Sequence, residues 1–410
     1  MNPEQQYAYD HIIRGNSVIL TGAAGTGKTY VLNKIIKWAH ENKRDMGVCA
    51  MTGAAALLIG GRTLHSFLGI GLGAKPASEL AAATRYKRKH ICTKINKLAL
   101  LIIDEVSMLS SELFDKICEY LQILRRNTKP FGGVQVIFCG DFAQIPPIEG
   151  EFCFKSAIWQ AMNLEKITLQ KQVRQANDPQ FQDILSSLRW GICNQEIIDT
   201  LRATKSNVFK DGITPTTLYA KNVDVDTINQ RYYQELTRRG AQEHRYNTKP
   251  ANNTASKSWM VASKIPEFVT LCVGAQVMCT SNLPETTGIV NGSRGVVVEL
   301  RASGPKVKFA CGKTMVVEMI RKECEDSDDI FVMMLPLRLA WAITLHKSQG
   351  ATLDAVKVNL GSSIFEYNMG YTGLSRVRDL SSVCIEEVLP NSFRTHPEVL
   401  EFYGQTAPAM

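Results

Sequence analysis

A glycine-rich segment at residues 22–29 constrains the fold of this chain more than any other feature. It matches the pattern GxxxxGK[ST] and reads Gly22, Ala23, Ala24, Gly25, Thr26, Gly27, Lys28 and Thr29. The segment follows a short apolar stretch at 17–21 and opens an amphipathic stretch at 28–40. A loop between a strand and a helix binds phosphate through backbone N–H groups and the helix N-terminus. The alternative is a glycine-rich turn with a surface lysine, and the strand–helix context argues against it.

Strands and helices alternate around this loop. The predicted helices are at residues 4–14, 28–40 and 110–126, the last with Ser110 or Ser111 as its N-cap. The predicted strands are at residues 17–21, 47–51, 98–103 and 134–139. The six consecutive apolar residues at 98–103 are typical of a strand buried on both faces of a parallel sheet. We therefore expect a doubly wound α/β lobe over residues 1–170, with a small insertion at about 62–97.

The middle of the chain has a different pattern of short strands and turns. The candidate strands are at 275–280, 295–300, 305–309 and 313–318, and Asn291-Gly292 is a strong turn signal. Residues 335–351 and 356–360 return to α/β character, so the β module is predicted to be an insertion within a second α/β lobe. The predicted domains are residues 1–170, residues 171–236 with 332–410, and an inserted region at 237–331, whose first part, 237–264, is predicted to be a polar connector.

Composition narrows the class of protein. The net charge of +8 and pI of about 8.8 favour a polyanionic partner, although a solvated surface without a partner has the same charge. The 11 cysteines include no CxxC pair, which argues against a zinc site and favours a reducing compartment, the cytoplasm or the nucleus. We see no signal or transit peptide at the N-terminus, and no apolar run long enough to span a membrane.

Two carboxylates, Asp104 and Glu105, directly follow the buried strand at 98–103. In a parallel sheet this edge lies beside the phosphate loop. Lys28 is predicted to reach the β- and γ-phosphates of ATP, Thr29 and Asp104 to ligate Mg²⁺, and Glu105 to orient or deprotonate the attacking water. A strand-end acidic pair can instead cap a helix or form a salt bridge, and a small-molecule kinase would use the same loop. The pair favours ATP hydrolysis with Mg²⁺ as cofactor.

Four further segments complete a recurring set of motifs. They are Gly-Asp-Phe-Ala-Gln-Ile-Pro-Pro at 140–147, Leu-Gln-Lys-Gln-Val-Arg-Gln at 169–175, Thr-Leu-His-Lys-Ser-Gln-Gly-Ala-Thr at 344–352 and Tyr-Thr-Gly-Leu-Ser-Arg-Val-Arg at 371–378. In this order they resemble the helicase motifs of superfamily one, subgroup B, and most closely the Pif (petite integration frequency) family of DNA helicases. Residues 113–115 and 130–135 resemble that family's own signature. Val173 and Gly373 are mild departures from the usual aromatic and alanine residues.

The resemblance implies two RecA-like P-loop lobes with parallel sheets and a small inserted β-barrel. It also implies roles for single residues: Gln5 reads the adenine, Gln144 senses the γ-phosphate or the water, and Arg174 and Arg376 act as arginine fingers. Outside the motif, an ordinary surface arginine would be the preferred interpretation of Arg376.

A strand-binding track is implied on both lobes. The first lobe would contribute Thr52, His65 and Phe67, and core packing is the alternative for His65 and Phe67. The second lobe would contribute Thr344, His346, Lys347 and Ser348. Residues 85–97 carry six lysines and arginines and no acidic residue. This charge is compatible with contacts to the phosphates of duplex DNA or with a solvated loop.

The function implied is an ATP-dependent DNA helicase that moves 5′→3′ on single-stranded DNA, with forked duplex DNA as a further partner and work in DNA replication, repair, recombination and telomere maintenance. Single-stranded-DNA-binding proteins are expected partners, membranes are not, and a monomer is expected in solution. Three rivals stay open: a RecD-like or RNA-directed motor, a P-loop ATPase that remodels protein or signals, and an inactive strand-binding module.

Overall fold

The structure is a computed structural model that describes residues 1–207, 215–220, 222–251, 253–262, 265–281, 283–289, 293–324, 327–350, 353 and 355–405. The chain divides into two compact units. The first unit comprises Met1–Ile213 and Leu345–Met410, and the second comprises Thr214–Thr344. The three-part division into lobes and insertion is finer than this and stays a prediction.

A six-stranded parallel sheet forms the centre of the first unit. Its strands are β1 (Val18–Gly22), β2 (Met46–Ala50), β3 (Arg62–Thr63), β4 (Leu100–Asp104), β5 (Gln135–Gly140) and β6 (Glu165–Leu169). They lie in the order β3-β2-β4-β5-β1-β6. Every residue of β1, β4 and β5 is buried, as expected for strands covered on both faces. The predicted strands are thus confirmed to within about two residues, and β6 was not predicted.

Ten α-helices of the first unit lie in the described residues before 208. They are α1 (Pro3–Ile13), α2 (Lys28–Glu41), α3 (Gly53–Leu58), α4 (Leu64–Leu68), α5 (Ala77–Lys87), α6 (Lys89–Lys97), α7 (Ser111–Arg125), α8 (Ala157–Ala161), α9 (Pro179–Arg189) and α10 (Gln195–Ala203). The N-cap of α7 is Ser110, whose side chain accepts a hydrogen bond from the Leu113 N–H. The basic run at 85–97 falls on α5 and α6, so it is helical and not a loop, and its contact with duplex phosphates stays a prediction.

Apolar side chains leave the sheet on both faces and form two separate cores. Along β1, Val18 and Leu20 pack with the buried residues of α1 and α2, whereas Ile19 packs with the opposite core. The same alternation separates Ile102 from Ile103 in β4. Because successive side chains of a strand point to opposite faces, helices can cover both sides of one sheet. This arrangement is the doubly wound α/β lobe predicted from the sequence.

The second unit is mostly antiparallel. In chain order its elements are β7 (Thr216–Tyr219), α11 (Asn222–Arg238), β8 (Glu243–Asn247), β9 (Lys249–Pro250), α12 (Thr254–Ala262), β10 (Phe268–Cys272), β11 (Gln276–Cys279), β12 (Arg294–Glu299), β13 (Lys306–Phe309), β14 (Thr314–Val316), β15 (Ile320–Cys324), β16 (Ser327–Met334), β17 (Leu337–Leu339) and β18 (Ala342–Thr344). A five-stranded sheet has the order β14-β13-β12-β11-β17. This sheet contains the four predicted strands, and its closure into a barrel stays a prediction. The predicted turn at Asn291-Gly292 lies outside the described residues.

The segment at 237–264 is not a simple polar connector, and that prediction is wrong. It contains β8, β9 and α12, and β8 pairs with β10 in antiparallel register. In β8 only Tyr246 is buried, and it joins the apolar core of the second unit. A strand with one inward side chain leaves almost no apolar pattern in the sequence.

The last part of the chain returns to the first unit. Its elements are α13 (Leu345–Ser348), β19 (Val356–Leu360), α14 (Met369–Leu374), β20 (Val383–Val388) and α15 (Pro397–Tyr403). Strands β19 and β20 pair in parallel, which agrees with the α/β character predicted here. Within the described ranges, no helix has both the length and the apolar character that crossing a membrane requires.

Candidate functional site

The glycine-rich loop connects β1 to α2 and has the backbone of a phosphate cradle. Gly25 and Gly27 have φ values of 85° and 88°, in the left-handed region that favours glycine. The Lys28 ammonium donates to the carbonyl oxygens of Gly22 and Ala23, at 2.7 and 3.0 Å. The loop thus curls around the lysine side chain, and α2 begins directly behind it at Lys28. Backbone N–H groups at such a helix start attract anions.

Gln5 ties the start of α1 to this loop. Its side-chain oxygen accepts from the Asn2 N–H at 3.1 Å, and the Asn2 side chain accepts from the Gln5 N–H at 2.8 Å. This is a capping box, which the Asn-x-x-Gln spacing would have signalled but which was not predicted. The Gln5 amide nitrogen donates to the Thr26 carbonyl oxygen at 3.3 Å. Gln5 therefore lies against the phosphate loop, and its role in reading adenine stays a prediction.

The acidic pair ends β4, as the sequence predicted. Asp104 is the last residue of the strand, and Glu105 follows with a left-handed φ of 55°. The Glu105 N–H donates to the Asp104 carboxylate at 2.9 Å. Burial, and then the negative charge of Glu105, raise the pKa of Asp104 to about 7. A buried pair of carboxylates of this kind is stabilised in its charged form by a neighbouring cation.

Arg376 is buried and Arg174 is half-buried beside the loop. Arg376 is 2% exposed, which rules out the surface interpretation, and its guanidinium donates to the Gln144 side-chain oxygen at 3.1 Å. Arg174 donates to the Ser375 carbonyl oxygen at 2.7 Å. Burial and the nearby charge of Arg376 lower the pKa of Arg174 to about 10. A buried and a half-buried guanidinium group whose charges repel each other favour the binding of an anion beside them.

Gln349 is a functional candidate that the sequence reasoning missed. Its amide nitrogen donates to the Glu105 carboxylate at 2.9 Å and to the Ser107 hydroxyl at 3.2 Å. A Cβ atom on the next residue, Gly350, would lie 3.3 Å from the same carboxylate. Gln349 belongs to the motif at 344–352, but that motif had been assigned only to strand contact. The pairing with Glu105 has no signal in the local sequence.

One cleft of the first unit collects these groups. Its lining residues include Ala24, Gly25, Gly27, Lys28, Thr29, Asp104, Glu105, Gln144, Arg174, Gly350 and Arg376. They come from the loop, from the segments that follow β4, β5 and β6, and from segments late in the chain. The arrangement places a phosphate cradle, a carboxylate pair and two guanidinium groups around one space.

The strand-contact candidates of the first lobe differ in their accessibility. Thr52 and His65 are half-buried, the Thr52 hydroxyl accepts from the Ala55 N–H at 3.2 Å, and burial lowers the pKa of His65. Phe67 is 6% exposed within the core, and the Lys94 ammonium lies 4.2 Å from its ring centroid. Phe67 is therefore a packing residue in this structure, and the expectation that it stacks on bases is not supported.

The strand-contact candidates at 344–348 also differ in their accessibility. His346 is half-buried, and burial lowers its pKa. Ser348 is fully buried and its hydroxyl donates to the Leu345 carbonyl oxygen at 2.7 Å, so the expected contact with phosphate is not supported. Thr344 is 4% exposed at the end of β18 in the second unit. The side chain of Lys347 lies outside the described part of the chain.

The basic run on α5 and α6 is mixed. The Arg85 guanidinium donates to the Ile123 carbonyl oxygen, and Arg88 is buried, so both contribute to the packing of the insertion. Lys87, Lys89, Lys94 and Lys97 are exposed. The Lys94 ammonium lies over the Phe67 ring, whereas the other three lysines can approach a polyanion without giving up that contact.

Comparison with known proteins gives consistent results. Residues 1–197 match the family model described as PIF1-like helicase, and residues 263–300 match that of the 2B domain of DNA helicase Pif1. The ATP-dependent DNA helicase PIF1 of Homo sapiens is 37% identical over 98% of this chain and 63% of the human protein. The chain thus spans less than two thirds of the length of that relative.

In two further comparisons the similarity covers nearly the whole length of both proteins. The ATP-dependent DNA helicase Pif1 of Bdellovibrio bacteriovorus is 33% identical over 99% of this chain and 92% of that protein. The crystal structure of Pif1 helicase from Candida albicans is 33% identical, has a TM-score of 0.90, and covers 98% of this chain and 99% of that one. The fold, the motifs and these relatives agree, and the chain belongs to the PIF1-like helicase family.

Proposed function

We propose that this chain is an ATP-dependent DNA helicase that moves 5′→3′ on single-stranded DNA and unwinds duplex DNA. One observation carries the proposal: a single cleft brings the phosphate loop, the pair Asp104 and Glu105, and the arginines Arg174 and Arg376 together. A phosphoryl-transfer site needs a phosphate cradle, a carboxylate that handles water, and positive charge at the transferring group. Family membership supports DNA as the substrate and supplies the direction of movement.

ATP would bind with its phosphates in the loop. Lys28 reaches the β- and γ-phosphates in this proposal, the backbone N–H groups of the loop hold the phosphate oxygens, and Gln5 reads the adenine. Asp104 and Thr29 line the cleft and offer the oxygen ligands that Mg²⁺ prefers. Burial and the charge of Glu105 raise the pKa of Asp104, and a bound cation would lower that pKa by stabilising the ionised carboxylate. When bound, Mg²⁺ would neutralise charge on the phosphate oxygens.

Glu105 would orient and deprotonate the attacking water. The Gln349 amide donates to one of its oxygens, which fixes the carboxylate and leaves the other oxygen to accept a proton. Arg174 and Arg376 would stabilise the negative charge that builds on the γ-phosphoryl group, and Gln144 holds Arg376 in place. Arginines in this role increase kcat by roughly 10³–10⁵-fold in well-studied phosphoryl-transfer enzymes.

Single-stranded DNA and forked duplex DNA are the proposed partners. A Pif1 from Bacteroides has been solved bound to single-stranded DNA, and it is 27% identical to this chain with a TM-score of 0.77. Thr52, His65 and His346 are the accessible described candidates for contact with the strand. The net charge of +8 supports association with a polyanion.

ATPase activity with and without single-stranded DNA separates this proposal from its rivals. We expect hydrolysis to be slow alone and strongly stimulated by single-stranded DNA. An ATPase that remodels protein would not respond to DNA, and an inactive strand-binding module would bind DNA without hydrolysis. A motor directed to RNA would respond to single-stranded RNA instead. Parallel assays with DNA and RNA of one sequence distinguish all four outcomes.

The variant Glu105→Gln tests the assigned base. It keeps the size of the side chain but cannot take a proton, so we expect kcat to fall by about 10²–10⁴-fold while single-stranded DNA still binds. Glu112→Gln makes the same chemical change at an exposed position of α7 and should hydrolyse ATP at the parental rate. Parental hydrolysis by Glu105→Gln would show that another group activates the water.

A further inference from the structure

A buried ion pair lies behind the phosphate loop and has no part in the chemistry proposed above. Asp141, just after β5, is fully buried, and Arg189 of α9 donates two hydrogen bonds to its carboxylate, at 2.8 and 3.1 Å. Burial alone would raise the pKa of Asp141, but the charges of Arg189 and Lys28 and its hydrogen bonds keep that pKa below its usual range. The Arg189 guanidinium also lies 4.2 Å from the Trp190 ring centroid. The pair is therefore held rigidly on several sides.

Two tyrosine hydroxyls complete the environment of this carboxylate. Tyr371 of α14 and Tyr403 of α15 donate to its two oxygens at 3.5 and 3.3 Å. Burial raises the pKa of Tyr371 to about 12, and burial raises the pKa of Tyr403 as well. Both hydroxyls consequently stay protonated at neutral pH and remain able to donate.

The two tyrosines differ in what else they touch. The Tyr371 hydroxyl accepts a hydrogen bond from the backbone N–H of Ala24, within the phosphate loop, at 3.1 Å. The Tyr403 hydroxyl shares a 2.6 Å hydrogen bond with the Thr21 side chain and accepts from the Phe142 N–H at 3.2 Å. Of the two tyrosines, only Tyr371 therefore forms a hydrogen bond with the backbone of the phosphate loop.

We propose that Tyr371 is a positioning residue for the phosphate loop, and that Asp141 and Arg189 orient its hydroxyl. The proposal rests on the proposed function in one respect, since it takes the loop to be the nucleotide site. The Ala24 N–H donates to an acceptor outside the loop, so this hydrogen bond helps to set the curvature of the loop. Asp141 orients this acceptor because it accepts the hydrogen bond from the Tyr371 O–H, which leaves a lone pair of the hydroxyl oxygen for the Ala24 N–H.

Loss of this hydroxyl would leave a buried backbone N–H without its acceptor. The loop can recover a partner for Ala24 only by changing its shape, and a cradle with a changed shape no longer matches the phosphate oxygens. The reacting groups Glu105, Arg174 and Arg376 are not bonded to Tyr371 through any described side-chain hydrogen bond. The effect should therefore fall on nucleotide affinity and leave the rate at saturation nearly unchanged.

The matched variants Tyr371→Phe and Tyr403→Phe test the proposal in the full chain. Each removes one buried hydroxyl that donates to Asp141, so their effects on unfolding should be similar. We expect Tyr371→Phe to raise the Kd of a fluorescent ADP analogue, and the KM for ATP, by about tenfold, equivalent to one lost hydrogen bond. Tyr403→Phe should keep both constants near the parental values, and kcat at saturating ATP should stay near parental in both variants.

Each result has one interpretation. Equal nucleotide affinity in Tyr371→Phe and Tyr403→Phe, whether unchanged or equally weakened, overturns the proposal. Tighter nucleotide binding in Tyr371→Phe also overturns it, since the hydroxyl would then compete with phosphate. Failure of the parental protein to bind the ADP analogue contradicts the proposed function itself, and it is seen before any variant is made.

Discussion

At the scale of single residues, the site depends on backbone conformations as much as on side chains. Gly25 combines a φ of 85° with a close approach, because an added Cβ would lie 2.7 Å from both the Arg174 Cβ and the Gln175 side-chain oxygen. The backbone N–H groups of residues 173 and 174 both donate to the Gly25 carbonyl oxygen. The loop and the arginine segment are thus fitted to each other at this glycine.

The substitution Gly25→Ala should lower the free energy of unfolding for two separate reasons. The left-handed backbone alone costs an alanine roughly 1–2 kcal/mol of unfolding free energy, and the clash adds about 1–3 kcal/mol. Gly15→Ala is the matched control, because Gly15 has a φ of 98° and nothing within 4 Å of the added Cβ. Urea denaturation of both variants measures the difference. Equal losses of stability at the two positions would show that the approach to Arg174 is not tight in solution.

The sequence predicts some of these residues far better than others. Lys28, Asp104 and Gln144 could be placed at one edge because strand ends of a parallel sheet meet there. Gln349 and Tyr371 could not be paired with Glu105 and Ala24 from the sequence, since those contacts join segments more than 200 positions apart. A local sequence pattern does not show which of several polar residues contacts a segment so distant in sequence.

At the scale of elements, the strands that were predicted are those with unbroken apolar runs. The edge strand β6 was missed because only two of its five residues are buried, Ile167 and Leu169. The insertion was harder still, because α5 and α6 carry many basic residues and α6 buries only Ile95. A short helix that relies on a single inward side chain resembles a solvated loop in sequence.

The exposed lysines of α5 and α6 allow a test of strand or duplex contact by this insertion. Changing Lys87, Lys89 and Lys97 together to glutamine should reduce the slope of log K against log salt for DNA by up to about 2–3, since each phosphate contact contributes about 0.7–0.9. The structural residues Arg85 and Arg88 are left intact, so the helices should remain folded. Fluorescence anisotropy over a salt series gives the slope.

A control for that test keeps the change in net charge the same. Lys34, Lys37 and Lys43 are exposed on and just beyond α2, and their replacement by glutamine should leave the slope unchanged. If both triple variants lower the slope equally, the effect comes from net charge and not from contacts made by α5 and α6.

At the scale of the whole molecule, the first unit is assembled from distant parts of the chain. The phosphate loop, Arg174 and Arg376 all belong to it, although Thr214–Thr344 lies between the last two in sequence. The order of the motifs predicts that these groups are present. It does not predict which segments pack into one compact unit, because that depends on contacts between parts of the chain that are distant in sequence. The finer division into two RecA-like lobes therefore remains to be tested.

Direction of movement is a property of the whole molecule and is testable as such. We expect unwinding of duplexes that carry a 5′ single-stranded tail, and none of duplexes with a 3′ tail, in the presence of ATP and Mg²⁺. The reason is membership of the PIF1-like helicase family combined with the proposed ATP site. A gel assay with paired tailed substrates, each with and without ATP, measures it, and Glu105→Gln serves as the inactive control. A preference for 3′ tails would contradict the assigned direction.

The hydrogen bond between Thr21 and Tyr403 joins residues 382 positions apart. A ribosome that has just released the phosphate loop from its exit tunnel must therefore add most of the chain before α15 can reach the end of β1. During most of that interval the loop also lacks Tyr371, the acceptor of the Ala24 N–H, although its own strand and helix are already present. Nucleotide affinity should therefore appear only after α14 has been added, because Tyr371 supplies the acceptor of the Ala24 N–H, and stalled nascent chains that end before and after α14 would show that step.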